Sequence, residues 1–423
     1  MKKNKEKKAP LLDGSEKPIF SDRKNVLRLI GFLIAFTIAV SAITIGVVQI
    51  GKKDPGLYVV ETDADGNLPF YASGIRLQYD FTGSSSEIKT KMNAVKAAYS
   101  TALKRSYQWF DAKNTYPESP NLASISQNAG QAVKLQEPFF RILQDALEKT
   151  ERGEGYTIFA APLISFGTGI LYATDPASVD PLVIAENAAL LQEMERIIRE
   201  DPGELILNEA ELTATLNLSA AYASFLEEYE MTEGVLHLGT LADAYRLQYV
   251  AQALEESGFT KGFLTTDSGI SLLLSGYTNE QAKYCLYSLS QEGKVEVSAT
   301  KTATAASASC NFRIFAFSQD ELSFYTVKNG EQTVYRNPYQ IAFQQEQPVL
   351  SVLATDQSGN VVEATYTCIC LMTATDAETA LAFAKRATVS WIVDLNDGEA
   401  DLYLSDTANV QTLETYQKIL NEN

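Results

Sequence analysis

Histidine is almost absent from this chain of 423 residues, which contains only His237. A multi-histidine metal site is therefore excluded, and a Ser-His-Asp or Cys-His unit would have to use that single imidazole. It lies in Val235-Leu236-His237-Leu238-Gly239, an apolar, strand-like stretch that reads as structural. Cysteine is scarce too. Cys285, Cys310, Cys368 and Cys370 are too few to staple a chain of this length as a disulfide scaffold. No CxxC pair occurs, which removes zinc-ribbon and thioredoxin-like readings. Cys368 and Cys370 are two apart in an apolar run; on a strand they would share a face and not easily pair with each other, and buried thiols are expected. Neither GxGxxG nor a P-loop is present, so nucleotide phosphates have no familiar cradle. The run Asp63-Ala64-Asp65-Gly66 lacks the downstream Glu of a calcium loop and reads as a turn.

One stretch lacks charge altogether. From Leu29 to Ile50 there is no ionisable side chain, and Arg28 and Lys52 bracket the run. A bilayer core needs roughly 20 apolar residues in helical form, so residues 29–51 are read as a transmembrane anchor. The run exceeds the roughly 7–15 residues of a signal-peptide core, and Ile45-Gly46-Val47-Val48-Gln49 is a poor cleavage site. Residues 1–28 carry nine Lys and Arg against four acids, which by the positive-inside rule places this tail in the cytoplasm. Of the 35 basic and 53 acidic residues, 26 and 49 remain beyond the tail, a net of about −23. That balance argues against nucleic acid as a partner, because such binding rests on Lys/Arg–phosphate contacts. The expectation is a single-pass protein of the cell membrane with its C-terminal part outside.

Beyond the anchor, residues 52–72 read as a spacer of turns. Ile75–Phe81 alternates apolar and polar residues as a half-buried strand, and Ser84 with Glu87 forms a capping box ahead of a helix. Further helices are predicted at Glu137–Glu151, Pro181–Arg199, Leu241–Leu254 and Asp376–Arg386. Strands are predicted at Gly262–Thr266, Ile270–Ser275, Lys294–Ser298, Phe312–Phe317, Leu322–Lys328, Val349–Ala354 and Trp391–Val393. No βαβ rhythm or internal repeat appears, so the class is α+β.

Five segments occur in an informative order. The first is Asn121 to Leu163, with a helix-like core, Gly153-Glu154-Gly155-Tyr156 and Ala161-Pro162-Leu163. Then come Leu238-Gly239-Thr240-Leu241-Ala242-Asp243-Ala244-Tyr245 and Asp267-Ser268-Gly269-Ile270. The run Tyr325 to Pro338 is followed by Glu363-Ala364-Thr365-Tyr366-Thr367. In this order they resemble the motifs of the ApbE family, FAD:protein FMN transferases: "T-G-G-x-F-D…P-L", "L-G-G-hydrophobic-A-K-G-Y", "G-G-(D/E/N)-I", "H-hydrophobic-hydrophobic-D-P" and "A-D-A-x-S-T". The resemblance implies an ApbE-like domain over residues 73–415, built of mixed helices and largely antiparallel strands and held outside the membrane. It also implies FAD as substrate, with Gly239, Tyr245 and Gly269 at cofactor-binding positions, and magnesium held by Glu363 and Thr367.

The same resemblance exposes departures. The family's metal-binding Asp is Glu363 here, its Lys is Asp243, and "T-G-G" becomes Arg152-Gly153-Glu154. The "G-G" pair is Asp267-Ser268, and the His and Asp of the hairpin motif fall at Tyr335 and Asn337. An acid where a cation met phosphates repels them. Lost glycines withdraw close backbone approach. The pattern implies a pseudoenzyme, a binding or assembly module on this fold. A working magnesium-dependent transferase that attaches FMN to Thr or Ser of membrane flavoproteins is the alternative, and a structural subunit of a membrane redox complex is a third.

Overall fold

The structure is a computed structural model that describes residues 53–62, 74–229, 231, 234–290, 292–317, 324–330, 332–336 and 347–420. The basic tail and the run at 29–51 expected to be an anchor, and Asn337 with Pro338, lie outside the described residues. Among the described residues no helix is long and apolar enough to cross a membrane. The chain divides into two units, Met1–Pro55 with Gly83–Lys89, and Gly56–Thr82 with Thr90–Asn423. In the first, the capping box forms as expected: Ser84 Oγ and its backbone N–H both donate to Glu87 Oε2 at 2.7 Å.

The described residues carry seventeen strands and ten helices. In chain order the strands are β1 (Gly56–Val60), β2 (Ile75–Phe81), β3 (Val133–Lys134), β4 (Gly203–Asn208), β5 (Thr213–Leu218), β6 (Gly262–Thr266), β7 (Ile270–Leu273), β8 (Lys283–Leu289) and β9 (Val295–Thr302). They continue with β10 (Ala308–Arg313), β11 (Tyr325–Asn329), β12 (Gln332–Arg336), β13 (Val349–Asp356), β14 (Ser390–Leu395), β15 (Asp401–Leu404), β16 (Val410–Thr412) and β17 (Gln417–Leu420). The helices are α1 (Ser85–Phe110, which begins in the smaller unit), α2 (Leu122–Gln127), α3 (Glu137–Glu151), α4 (Ala161–Leu171), α5 (Pro176–Val179), α6 (Ala185–Glu200), α7 (Ala220–Glu228), α8 (Leu241–Glu256), α9 (Val361–Met372) and α10 (Ala377–Ala384).

Nine strands form the main sheet in the order β1-β2-β6-β7-β10-β13-β14-β15-β17. Every neighbouring pair is antiparallel except β15–β17. The sheet extends past both expected domain edges. Gly56–Val60, read above as part of a spacer, pairs with β2, and β17 lies beyond residue 415.

Successive strand residues face opposite sides of the sheet, and here the two sides are covered differently. On one side α9 packs against β13 and β10, and Cys368 Sγ reaches the Cys310 carbonyl at 3.3 Å. On the other, Asn311 donates to the Cys285 carbonyl on β8. There the sheet β16-β9-β8 closes a core of Leu286, Ala299, Leu353, Ile392, Leu402 and Leu404.

Helix α9 is buried at every position except Glu363, which marks it as a central helix rather than an amphipathic surface one. Cys368 and Cys370 lie on this helix, not on a strand. An apolar run with no period of two reads as either element, and its length and its cap decide for the helix: Asn360 Oδ1 accepts the Glu363 N–H at 3.0 Å. Cys310, Cys368 and Cys370 are buried free thiols, as expected, and Cys285 is half-buried. The helix expected from Pro181 begins at Ala185, because Asp180 takes the Leu182 N–H and closes a turn there. The strand expected at Phe312–Phe317 lies earlier, at Ala308–Arg313, in register with β13. The hairpin β11–β12 forms as expected, and its Arg336 grips the fully buried Asp180 through two contacts of 3.1 Å.

Candidate functional site

Helices α3, α8 and α9 bring Tyr245 and Glu363 to one polar cluster, while Thr367 lies buried one turn further along α9. The centre of the cluster is Lys149, which no motif singles out. The apolar face of α3 runs Phe139, Phe140, Leu143, Ala146, and the next position of that stripe is Lys149. A lysine on a buried face is the signal that could have found it. Its ammonium meets Asp145 Oδ1 at 2.9 Å and Glu363 Oε2 at 3.3 Å, with the side chain 4% exposed.

The other Glu363 oxygen faces Arg152, 3.2 Å from Nη1. Both cations lie over the Tyr366 ring, 5.5 Å and 5.2 Å from its centroid. Asp145 Oδ2 accepts the Tyr245 hydroxyl at 2.6 Å. Glu363 is thus at a helix start but is neither solvent-facing nor free.

Glu154 stands at a position where the motif has glycine. Its carboxylate accepts from the Tyr366 hydroxyl at 3.0 Å and meets Arg386 at 3.4 Å. Beside it opens a cavity of about 630 Å³ walled by Glu154, Tyr156, Glu195, Arg199, Cys370 and Arg386. Two acids and two arginines leave its wall without a net positive charge.

Three protons beside the cluster are held tightly. Burial, with Tyr156 and Asp145, pushes the Tyr245 phenol well above its ordinary range, and burial together with Cys370 and Glu154 does the same to Tyr366. Burial also raises the Cys370 thiol. No nucleophile is activated by a lowered pKa here.

The remaining predicted positions lie along the second motif and the third. At Gly239 φ is +56°, and its N–H donates to His237 Nδ1 at 2.8 Å, so the histidine braces the turn into α8. Asp243 does not point a free charge outward: Arg246 holds one oxygen at 2.8 Å, and Ser268 donates to the other at 3.0 Å. Ser268 thereby ties the second motif to the third, beside the turn at Gly269. That glycine has φ +88°, and a Cβ there would strike the Asn311 carbonyl oxygen. Close approach at Gly269 therefore serves the neighbouring strand β10.

A magnesium ion needs near-octahedral oxygen ligands at short range. Glu363 has a protein cation against each oxygen, and Thr367 Oγ1, one helical turn along, is buried and without a partner. Among the described residues no group of three or more His, Cys, Asp or Glu converges to hold a metal. As arranged, the residues present do not fit the ion.

Solved structures carry the same architecture. The flavin transferase ApbE of Vibrio cholerae superposes with a TM-score of 0.52 over 81% of this chain and 94% of that one, at 14% identity. The ApbE protein of Thermotoga maritima gives 0.50 over 86% and 98%, at 12% identity. The fold is that of the ApbE flavin transferases. No family model matches the sequence, and no curated protein matches it. A fold that superposes at 14% identity while most motif residues differ is expected when packing persists and site residues change.

Proposed function

We propose that this chain is a membrane-anchored, extracytoplasmic ApbE-fold protein without flavin transferase activity, acting as a binding or assembly module. The observation that carries the reading is the pairing of Glu363 with Lys149 and Arg152. In phosphoryl transfer the metal neutralises charge that develops on phosphate oxygens. Here two side chains of the protein already neutralise the carboxylate that would hold such an ion, and they repel a second cation from it. The protonated tyrosines and thiol around it supply no base or nucleophile. The uncharged run at 29–51 and the basic tail support the placement, which suits a partner such as a membrane flavoprotein or redox complex.

One feature favours the alternative, a divergent magnesium-dependent FAD:protein FMN transferase: an acid and a hydroxyl four residues apart on α9, with Thr367 Oγ1 unpartnered. The two readings separate in one experiment. The full chain in detergent micelles is incubated with FAD, magnesium and a threonine-containing acceptor peptide. The expected result is intact FAD and an unmodified peptide. Release of AMP with flavin on the peptide would overturn the proposal.

A further inference from the structure

A second polar cavity lies on the opposite face of the main sheet from Glu363. Asp394 on β14 pairs with Ser351 and Leu402, and Leu402 faces the sheet β16-β9-β8, so the Asp394 side chain points to that side as well. There it forms part of the wall of a cavity of about 770 Å³ between the β8–β9 hairpin and the β14–β15 end.

Asp394 is 97% buried, being 3% exposed, and its Oδ2 has no hydrogen-bond partner. A buried carboxylate oxygen without a partner is costly in a folded protein and is the kind of group that a ligand satisfies. The cavity's other ionisable groups are acidic at its rim: Glu292, Glu296 and Glu399. Its one lining cation, Lys294, is exposed and held by Glu292 at 2.6 Å. Leu289, Val295, Leu395 and the Tyr416 ring supply apolar lining, interspersed with Ser290, Asn396 and Thr415.

We propose that this cavity binds a small organic cation, an aliphatic amine whose ammonium group meets Asp394 Oδ2 while its carbon chain lies along the apolar lining. A bare metal ion suits the site less well, since no group of three or more metal-ligating side chains converges among the described residues and the apolar lining would go unused. Burial raises the Asp394 carboxyl to about 7. A bound ammonium favours its ionised form, so binding strengthens as pH rises through that value. The other titratable groups facing it are Glu296, Glu292, Glu399, Asp397, Tyr416 and Lys294. Of these, the Tyr416 phenol is pushed up by burial and stays protonated across that range.

The test is calorimetric titration of the full chain in detergent with 1,5-diaminopentane, and with 1,5-pentanediol as the uncharged counterpart. The diamine is expected to bind and the diol not. Asp394→Asn should weaken binding at least tenfold, and affinity should rise from pH 6 to pH 8. Should Asp394→Asn fail to fold, Glu296→Gln is expected to weaken binding several-fold while retaining the parent circular-dichroism spectrum. No diamine binding, equal binding of the diol, or an Asp394→Asn variant of parental affinity would overturn the proposal. So would displacement of the diamine by equimolar calcium, which would mark a metal site.

Discussion

Replacing Lys149 by methionine tests the structural core of the functional reading. At 3.3 Å and an effective dielectric of about 20, each ion pair of this ammonium is worth about 5 kcal/mol of attraction before desolvation is subtracted. Burying an ammonium costs several kcal/mol, so the intact cluster contributes far less than that sum. Removing one partner is another matter, because it leaves a carboxylate that is 15% exposed with half its compensation. Breaking a buried pair costs about 3–5 kcal/mol, and since Arg152 remains beside Glu363, about 2–3 kcal/mol is expected for Lys149→Met. Glu363→Gln should cost a similar amount, because the ammonium keeps Asp145 at 2.9 Å. The double variant should be more stable than the two losses added together, with a coupling of about 1–3 kcal/mol. Urea unfolding of the four proteins measures all of this. Single variants within about 0.5 kcal/mol of the parent, or strictly additive losses, would refute the claim that Lys149 compensates Glu363.

Two further outcomes follow from residues described above. Asp394 has its carboxyl raised from 3.8 to about 7, so the folded state holds a proton that the unfolded chain releases. The stability contributed by this carboxyl should therefore be fully present below pH 4, be lost as pH rises to about 7, and then level off. At about 1.4 kcal/mol per pH unit the drop is at most ~4 kcal/mol, and urea midpoints from pH 4 to 8 should lose this slope in Asp394→Asn. Among the glycines, Gly269→Ala should lower the unfolding midpoint severely, since its Cβ meets backbone. Gly239→Ala should cost only about 1 kcal/mol, because the nearest atom to its Cβ is Ile164 Cδ1 at 3.8 Å and only the positive φ is strained. Similar losses at both positions would show that the crowding at Asn311 has been misjudged.

Local chemistry by itself determined a good deal. The capping box at Ser84 and Glu87, the alternation of Ile75–Phe81, the strands at Gly262–Thr266 and Val349–Ala354, and the hairpin from Tyr325 were all legible, because each depends on neighbours within a few residues. The order of motifs was legible too, and it named the fold that superposition then displayed. Three features were not. The apolar run holding Cys368 and Cys370 has no period that separates helix from strand, and that it is a central helix shows only in its packing against β10 and β13. Gly56–Val60 became a strand because β2 had a free edge to pair with. Lys149 acquired its meaning only when α9 placed Glu363 3.3 Å from its ammonium, 214 residues along the chain. Propensity and spacing report what a segment can do alone. Which charge neutralises which, and so whether a carboxylate is free to take a metal, is decided by contacts between elements far apart in sequence, inside a dielectric that only the folded core creates.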